Sequence, residues 1–218
     1  MGGGGGGGGS SLSATAVVST NFPLQSGYKA LVAKATSTNY IISGTCSGTA
    51  NITVSATSSS TFDGAFALSK TSTITGNYSN CSPTSFAETA VTYYDSNYVP
   101  VGSSSSSSFG KFLVVPSQLP ASVNVTDTAE YGTETIYTDS TKSTLKGSNV
   151  ISYVVESDGS STSSAIVNLI VKNFNTSNQL LSTEQARYRI VADGTLSPVS
   201  RDVQFSTTST TRLLFTAN

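Results

Sequence analysis

Histidine and tryptophan are absent from this 218-residue chain, and its single methionine is Met1. Without histidine there can be no Ser-His-Asp or Cys-His nucleophile system and no His-ligated zinc or haem. The two cysteines, Cys46 and Cys81, fall short of the four thiolates a cysteine-only metal site usually needs. No cofactor and no metal are therefore expected. Charge is scarce too: Asp, Glu, Lys and Arg make up 11% of the chain, against ~25% in a typical globular domain. The eleven basic residues are scattered singly from Lys29 to Arg212 and the net charge is −1. That pattern offers no basic stripe for nucleic acid. No apolar run approaches the ~18 residues of a membrane helix.

What is present is β-forming. Ten Tyr and nine Phe sit in alternating stretches rich in Thr and Val, so the low charge does not signal disorder. Ala50-Asn51-Ile52-Thr53-Val54-Ser55-Ala56 alternates small or apolar with polar residues, as a strand with one buried face does. Ala186, Tyr188, Ile190 and Ala192 alternate with Arg187, Arg189 and Val191 in the same way. Ala165 to Phe174 is more continuously apolar and reads as a central strand. Asp63-Gly64, Asp158-Gly159 and Asp193-Gly194 each suit a tight hairpin, which needs positive φ angles. No helical periodicity stands out after Leu12, and a short helix is allowed only at Ser182 to Ala186.

Short strands and regular turns predict an all-β protein, and the length suits two immunoglobulin-like antiparallel β-sandwich domains. The boundary is placed at Pro116-Ser117-Gln118-Leu119-Pro120, because proline lacks a ladder donor and interrupts a sheet. The expected organisation is a flexible Gly/Ser tether over 1–11, a first sandwich over 12–116 and a second over 117–218. Ser103 to Ser108 has no apolar side chain to pack and reads as a mobile hairpin or loop. Tyr93-Tyr94-Asp95-Ser96 and Tyr137-Thr138-Asp139-Ser140 resemble one another, each reading as a strand that ends in an Asx turn.

Few charges and an even cysteine count fit an oxidising compartment, so Cys46 and Cys81 are expected to form a disulfide. Gly2 to Gly9, followed by Ser10 and Ser11, has maximal backbone freedom and nothing to bury. A Gly/Ser tract at a mature start resembles Gram-negative bacterial lipoproteins, in which a lipidated cysteine precedes such a tether. Met1 stands where that cysteine would be. The resemblance implies an exported cell-envelope protein, outer-membrane-anchored on the surface or periplasmic face, reaching the membrane through a lipid anchor this chain lacks.

The acidic residues occur mostly as singletons beside turns (Asp63, Asp95, Asp127, Asp139, Asp158 and Asp193), which suits capping better than catalysis. No catalytic residue is assigned. Asn-x-Ser/Thr sites at Asn51, Asn77, Asn80, Asn124 and Asn175 carry no signal in a sequence this rich in Ser and Thr. Tyr93, Tyr94 and Tyr98 form the one aromatic cluster suited to a protein or glycan partner, though ordinary strand packing, with alternate rings facing core and solvent, is the simpler account of them. The functional expectation is a monomeric, non-enzymatic binding or structural module of the cell envelope. The alternatives are a His-independent carbohydrate-processing hydrolase working through paired carboxylates, or a pilus or adhesin subunit joined through a sheet edge.

Overall fold

The computed structural model describes residues 21–159, 161–206 and 211–218. Residues 1–20, which include the expected tether, lie outside them. Among the described residues, one helix, α1 (Leu24–Ala33), is followed by thirteen strands: β1 (Thr36–Gly44), β2 (Gly48–Val54), β3 (Ser58–Phe62), β4 (Ala65–Tyr78), β5 (Ser85–Tyr94), β6 (Pro100–Ser105), β7 (Ser108–Phe112), β8 (Thr128–Tyr137), β9 (Leu145–Ser157), β10 (Ser164–Asn175), β11 (Leu180–Val191), β12 (Leu196–Phe205) and β13 (Arg212–Ala217).

The strands form one antiparallel sheet, not two packed sandwiches. Its order runs from β1 through β13 and back down the chain to β4, and β4 then pairs with β2, which pairs with β1. The circuit is a closed twelve-stranded barrel, and closure leaves no open edge around the wall. This overturns the two immunoglobulin-like domains expected from the sequence. The two-proline segment lies outside the ladder, between β7 and β8, but these two strands pair with each other in the same sheet. Instead of linking two bodies, the connector turns inward: Leu119 and Val123 are buried against the helix.

Much of the local reading holds. Asp63-Gly64 joins β3 to β4 with φ of 49° and 82°, Asp158-Gly159 lies between β9 and β10, and Asp193-Gly194 between β11 and β12. Asp95 accepts from the Asn97 amide and Asp139 from the Thr141 amide, so the two echoed segments do end in Asx turns. The serine run is the hairpin of its two expected forms, β6–β7, in which Ser105 faces Ser108 across a two-residue turn. One reading is corrected: Ser182–Ala186 is strand, inside β11, and the helix lies at Leu24–Ala33.

β3 stands outside the circuit. Its hairpin with β4 stacks the Phe62 ring on Tyr93 and Phe109, with centroids 4.6 Å and 5.0 Å away. Gly102 makes this possible, because a Cβ there would run into the Phe62 ring. At the hairpin tip Asp63 takes both Lys111 and Lys142 as ion-pair partners.

Cys46 and Cys81 are disulfide-bonded, with Cα atoms 5.7 Å apart. The bond links the β1–β2 turn to the β4–β5 turn, directly beside the closing pair Gly48↔Tyr78. It staples the seam of the barrel at one rim.

Helix α1 plugs the other end. Phe22 forms an isolated bridge with Val123, and Phe22, Leu24, Val123, Tyr153, Val155, Ala165, Val167 and Ile190 make the largest core cluster. Gly27 lets the helix approach the Asp193-Gly194 turn, since a Cβ there would collide with the Gly194 carbonyl oxygen. The exposed carbonyls at the helix end meet Lys70, whose Nζ donates to Leu31 O at 2.7 Å, Val32 O at 2.7 Å and Lys34 O at 2.9 Å. A buried ammonium thus satisfies acceptors that a helix C-terminus leaves open, at the negative end of its dipole.

Candidate functional site

Strand alternation places one face of each strand toward the axis. The inward rows read Tyr40↔Ala50 and Ile42↔Phe215 near the seam, and Tyr153↔Leu169↔Ala186↔Arg201 on the opposite side. Between the helical plug and the disulfide rim they enclose a lumen with two lobes. Both lobes touch Tyr28, Thr92, Tyr94 and Leu169.

The first lobe, about 300 Å³, is walled by Tyr28, Leu31 and Val32 of the plug together with Ile52, Val54, Tyr188 and Ala186. Its charged residues are Lys70, committed to the helix carbonyls, the Arg201–Glu184 pair at 2.6 Å between neighbouring strands β12 and β11, and Arg187. Thr36, Thr38, Ser72, Thr92 and Ser200 add neutral polar groups. The second lobe, about 250 Å³, is lined by Tyr94, Phe112, Leu119, Tyr131, Ile151 and the carboxylate of Glu134. Glu134 is 5% exposed and accepts from Ser103 Oγ at 2.6 Å and Asn149 Nδ2 at 3.1 Å. Burial raises its pKa, more than those two hydrogen bonds lower it.

The tyrosines between the lobes stay protonated well past neutrality. Tyr28 and Tyr94 are hydrogen-bonded to each other, and burial pushes Tyr28 up and Tyr94 to about 12. Tyr131 and Tyr188 are raised for the same reason. The lumen is therefore an apolar, hydroxyl-lined space with fixed charges at a few positions. Toward the disulfide rim the inward residues Glu88 and Ala90 of β5 are solvent-exposed, while Tyr40, Ile42, Ala50, Ile52 and Phe215 pack into a second core cluster near the seam.

The three tyrosines singled out by sequence are dispersed by strand alternation. Tyr94 points into the lumen. Tyr93 faces outward under Phe62 and shares a hydrogen bond with Ser104 Oγ at 3.2 Å. Tyr98 sits in the β5–β6 turn with φ of 64°. The acidic singletons act as turn and clamp residues: Asp127 accepts from the Asn124 amide, Asp193 from the Thr195 amide, and Asp158 pairs with Arg189.

The outer wall is polar at mid-height. Asn168 donates to Glu156 and Gln185, and both of these also meet Arg187. Arg212 forks onto Asp202. Among the described residues no helix is long and apolar enough to cross a membrane, and no cluster of three or more His, Cys, Asp or Glu is placed to hold a metal.

Fold and site together define a closed antiparallel barrel with one end plugged and a lined lumen. In comparisons with protein-family models, curated proteins and solved structures, the chain matches none.

Proposed function

We propose that this protein is a non-enzymatic binding module that holds a small, largely apolar molecule in its barrel lumen. The observation that carries this reading is the paired lobes of about 300 and 250 Å³, in which tyrosine, phenylalanine and aliphatic side chains share the wall with hydroxyl groups and a few charged residues. Binding cavities have this character: mostly apolar walls and a small number of polar groups that orient the ligand. Small closed barrels commonly fill with side chains or hold one ligand, and here a helix fills only one end.

A hydrolytic reading has less support. The inward carboxylates are differently engaged: Glu184 is in an ion pair with Arg201, Glu134 is held by neutral donors in the other lobe, and Glu88 is exposed toward the disulfide rim. A wall carrying Glu156, Arg187, Asp202 and Arg212 is unlike the continuous apolar band of a lipid-embedded barrel. Export to an oxidising compartment, with tethering through residues 1–11, belongs to the same proposal. The Cys46–Cys81 disulfide supports the compartment. Antibody labelling of intact against permeabilised cells tests the location.

Titration with the neutral fluorophore N-phenyl-1-naphthylamine tests the binding. Saturable enhancement at one equivalent, abolished by Ala186→Trp in the first lobe, is the expected result. Absence of binding, or binding indifferent to Ala186→Trp in a folded variant, overturns the reading.

A further inference from the structure

The second lobe contains a carboxylate with no cation. Glu134 lies on β8 facing inward, almost fully buried. Its two hydrogen-bond donors, Ser103 and Asn149, are both neutral, and no lysine or arginine lines the lobe. The lumenal cations are engaged elsewhere: Lys70 with three helix carbonyls and Arg201 with Glu184. Lys111 is on the adjacent strand β7, but it reaches outward to Asp63. A buried carboxylate without a partner charge is costly, and proteins keep such groups neutral or compensate them.

The surroundings suit a cation that is itself poorly hydrated. Tyr28, Tyr94, Tyr131 and Phe112 line the same lobe as Glu134. Aromatic rings attract ammonium groups through their quadrupoles, most strongly where water is excluded. Gly110 on β7 gives the carboxylate its place, since a Cβ there would collide with Glu134 Oε1. Ser103 and Asn149 occupy one site on each carboxylate oxygen, and a carboxylate offers about four.

We propose that the second lobe binds an alkylammonium group, with Glu134 as its counter-ion and the Tyr28, Tyr94, Tyr131 and Phe112 rings as its cage. This rests on the lumenal binding reading and narrows it to small amphiphilic amines. On binding, the cation would exchange the hydration it loses for the carboxylate and the rings.

Calorimetric titration with choline and with its neutral carbon isostere, 3,3-dimethylbutan-1-ol, separates charge from shape. Choline is expected to bind at least 10-fold more tightly, and Glu134→Gln to remove that preference while the variant still melts cooperatively. Equal affinities for the two compounds, with the fluorophore bound, overturn the ammonium site and leave the lumenal reading intact. A choline preference that survives Glu134→Gln overturns the role of Glu134. Failure of the fluorophore and both compounds to bind overturns site and reading together.

Discussion

The Lys70 ammonium nitrogen lies 2.7 Å from the carbonyl oxygen of Val32, in the last turn of a helix that the barrel wall surrounds. That bond, with those to Leu31 and Lys34, fixes the plug to β4 and sets the depth of the lumen. Lys70→Met leaves three carbonyls at the helix end without their donor. It is expected to cost about 2–4 kcal/mol in chemical denaturation at pH 7 and to raise hydrogen exchange across 24–33.

The same lysine makes a pH prediction. Burial lowers its pKa from 10.5 to about 8. The folded value is below the unfolded one, so between about pH 8 and 10.5 the unfolded chain binds more protons at this site. Its contribution to stability is therefore least favourable below pH 8 and improves as pH rises above it. Above about pH 10 the raised tyrosines, Tyr28, Tyr94 and Tyr188, act in the opposite direction. Melting curves of the wild type minus those of Lys70→Met are expected to show this rise between pH 8 and 10, and a ¹⁵N-lysine NMR titration to place one midpoint near 8.

Glu134 is the reverse case. Its folded pKa is raised by burial, so the stability it contributes is present at low pH and is lost as pH rises through the folded value. The other titratable groups lining its lobe, Tyr28, Tyr94 and Tyr131, remain neutral over that range. Glu134→Gln keeps the shape and removes the charge. The ligand-free variant is expected to be more stable than wild type at pH 7 and no more stable in acid. Thermal melts at the two pH values check it.

Cys46 and Cys81 are separated by 35 residues. The chain-entropy model assigns a loop of that size about 4 kcal/mol at 25 °C. Paired Cys46→Ser and Cys81→Ser substitutions are expected to lose an amount of that order. Because the bond staples the closing strands, exchange protection is expected to fall first in β2 and the second half of β4, while β9–β11 keep theirs.

The β3–β4 hairpin is held from outside by Phe62 and by Asp63. The hydrogen bonds from Lys111 and Lys142 hold the Asp63 carboxyl at about 2, below its ordinary 3.8. A depressed carboxylate contributes stability that is present above its unfolded pKa and disappears as pH falls through the folded one. The hairpin is expected to loosen between about pH 4 and 2, read as loss of the contact between the Phe62 and Tyr93 rings in NMR. Asp63→Asn is expected to lack this transition.

Much of the wall was legible because strand alternation survives in the sequence. Ala50, Ile52 and Val54 face inward, as do Tyr188 and Ile190, and three Asp-Gly pairs mark three hairpins. Closure was not legible, because it rests on β2 pairing with β4 across a hairpin excursion, and local patterning carries no record of register between non-neighbouring strands. The Pro116–Pro120 segment misled for a physical reason: proline leaves a ladder in the same way whether the chain goes on to a new domain or returns to the same sheet. The helix was obscured by Gly27 within it, yet Leu24, Gly27, Tyr28, Leu31 and Val32 follow the i, i+3, i+4, i+7, i+8 spacing of a buried face. Of the site, only Tyr94 was singled out. Lys70 and Glu134 carried one faint signal, a charged residue on the inward parity of an otherwise small or apolar strand face, and their partners became visible only once the barrel closed.

The most direct test of the lumenal account is an NMR titration of tyrosine-labelled protein with N-phenyl-1-naphthylamine. The account predicts shifts in the ring signals of Tyr28, Tyr94, Tyr131 and Tyr188, which line the lumen, with Tyr93 and Tyr137, packed on the outer face, left in place. Shifts confined to Tyr93, Tyr98 or Tyr137, or no shift at saturating fluorophore, would contradict it.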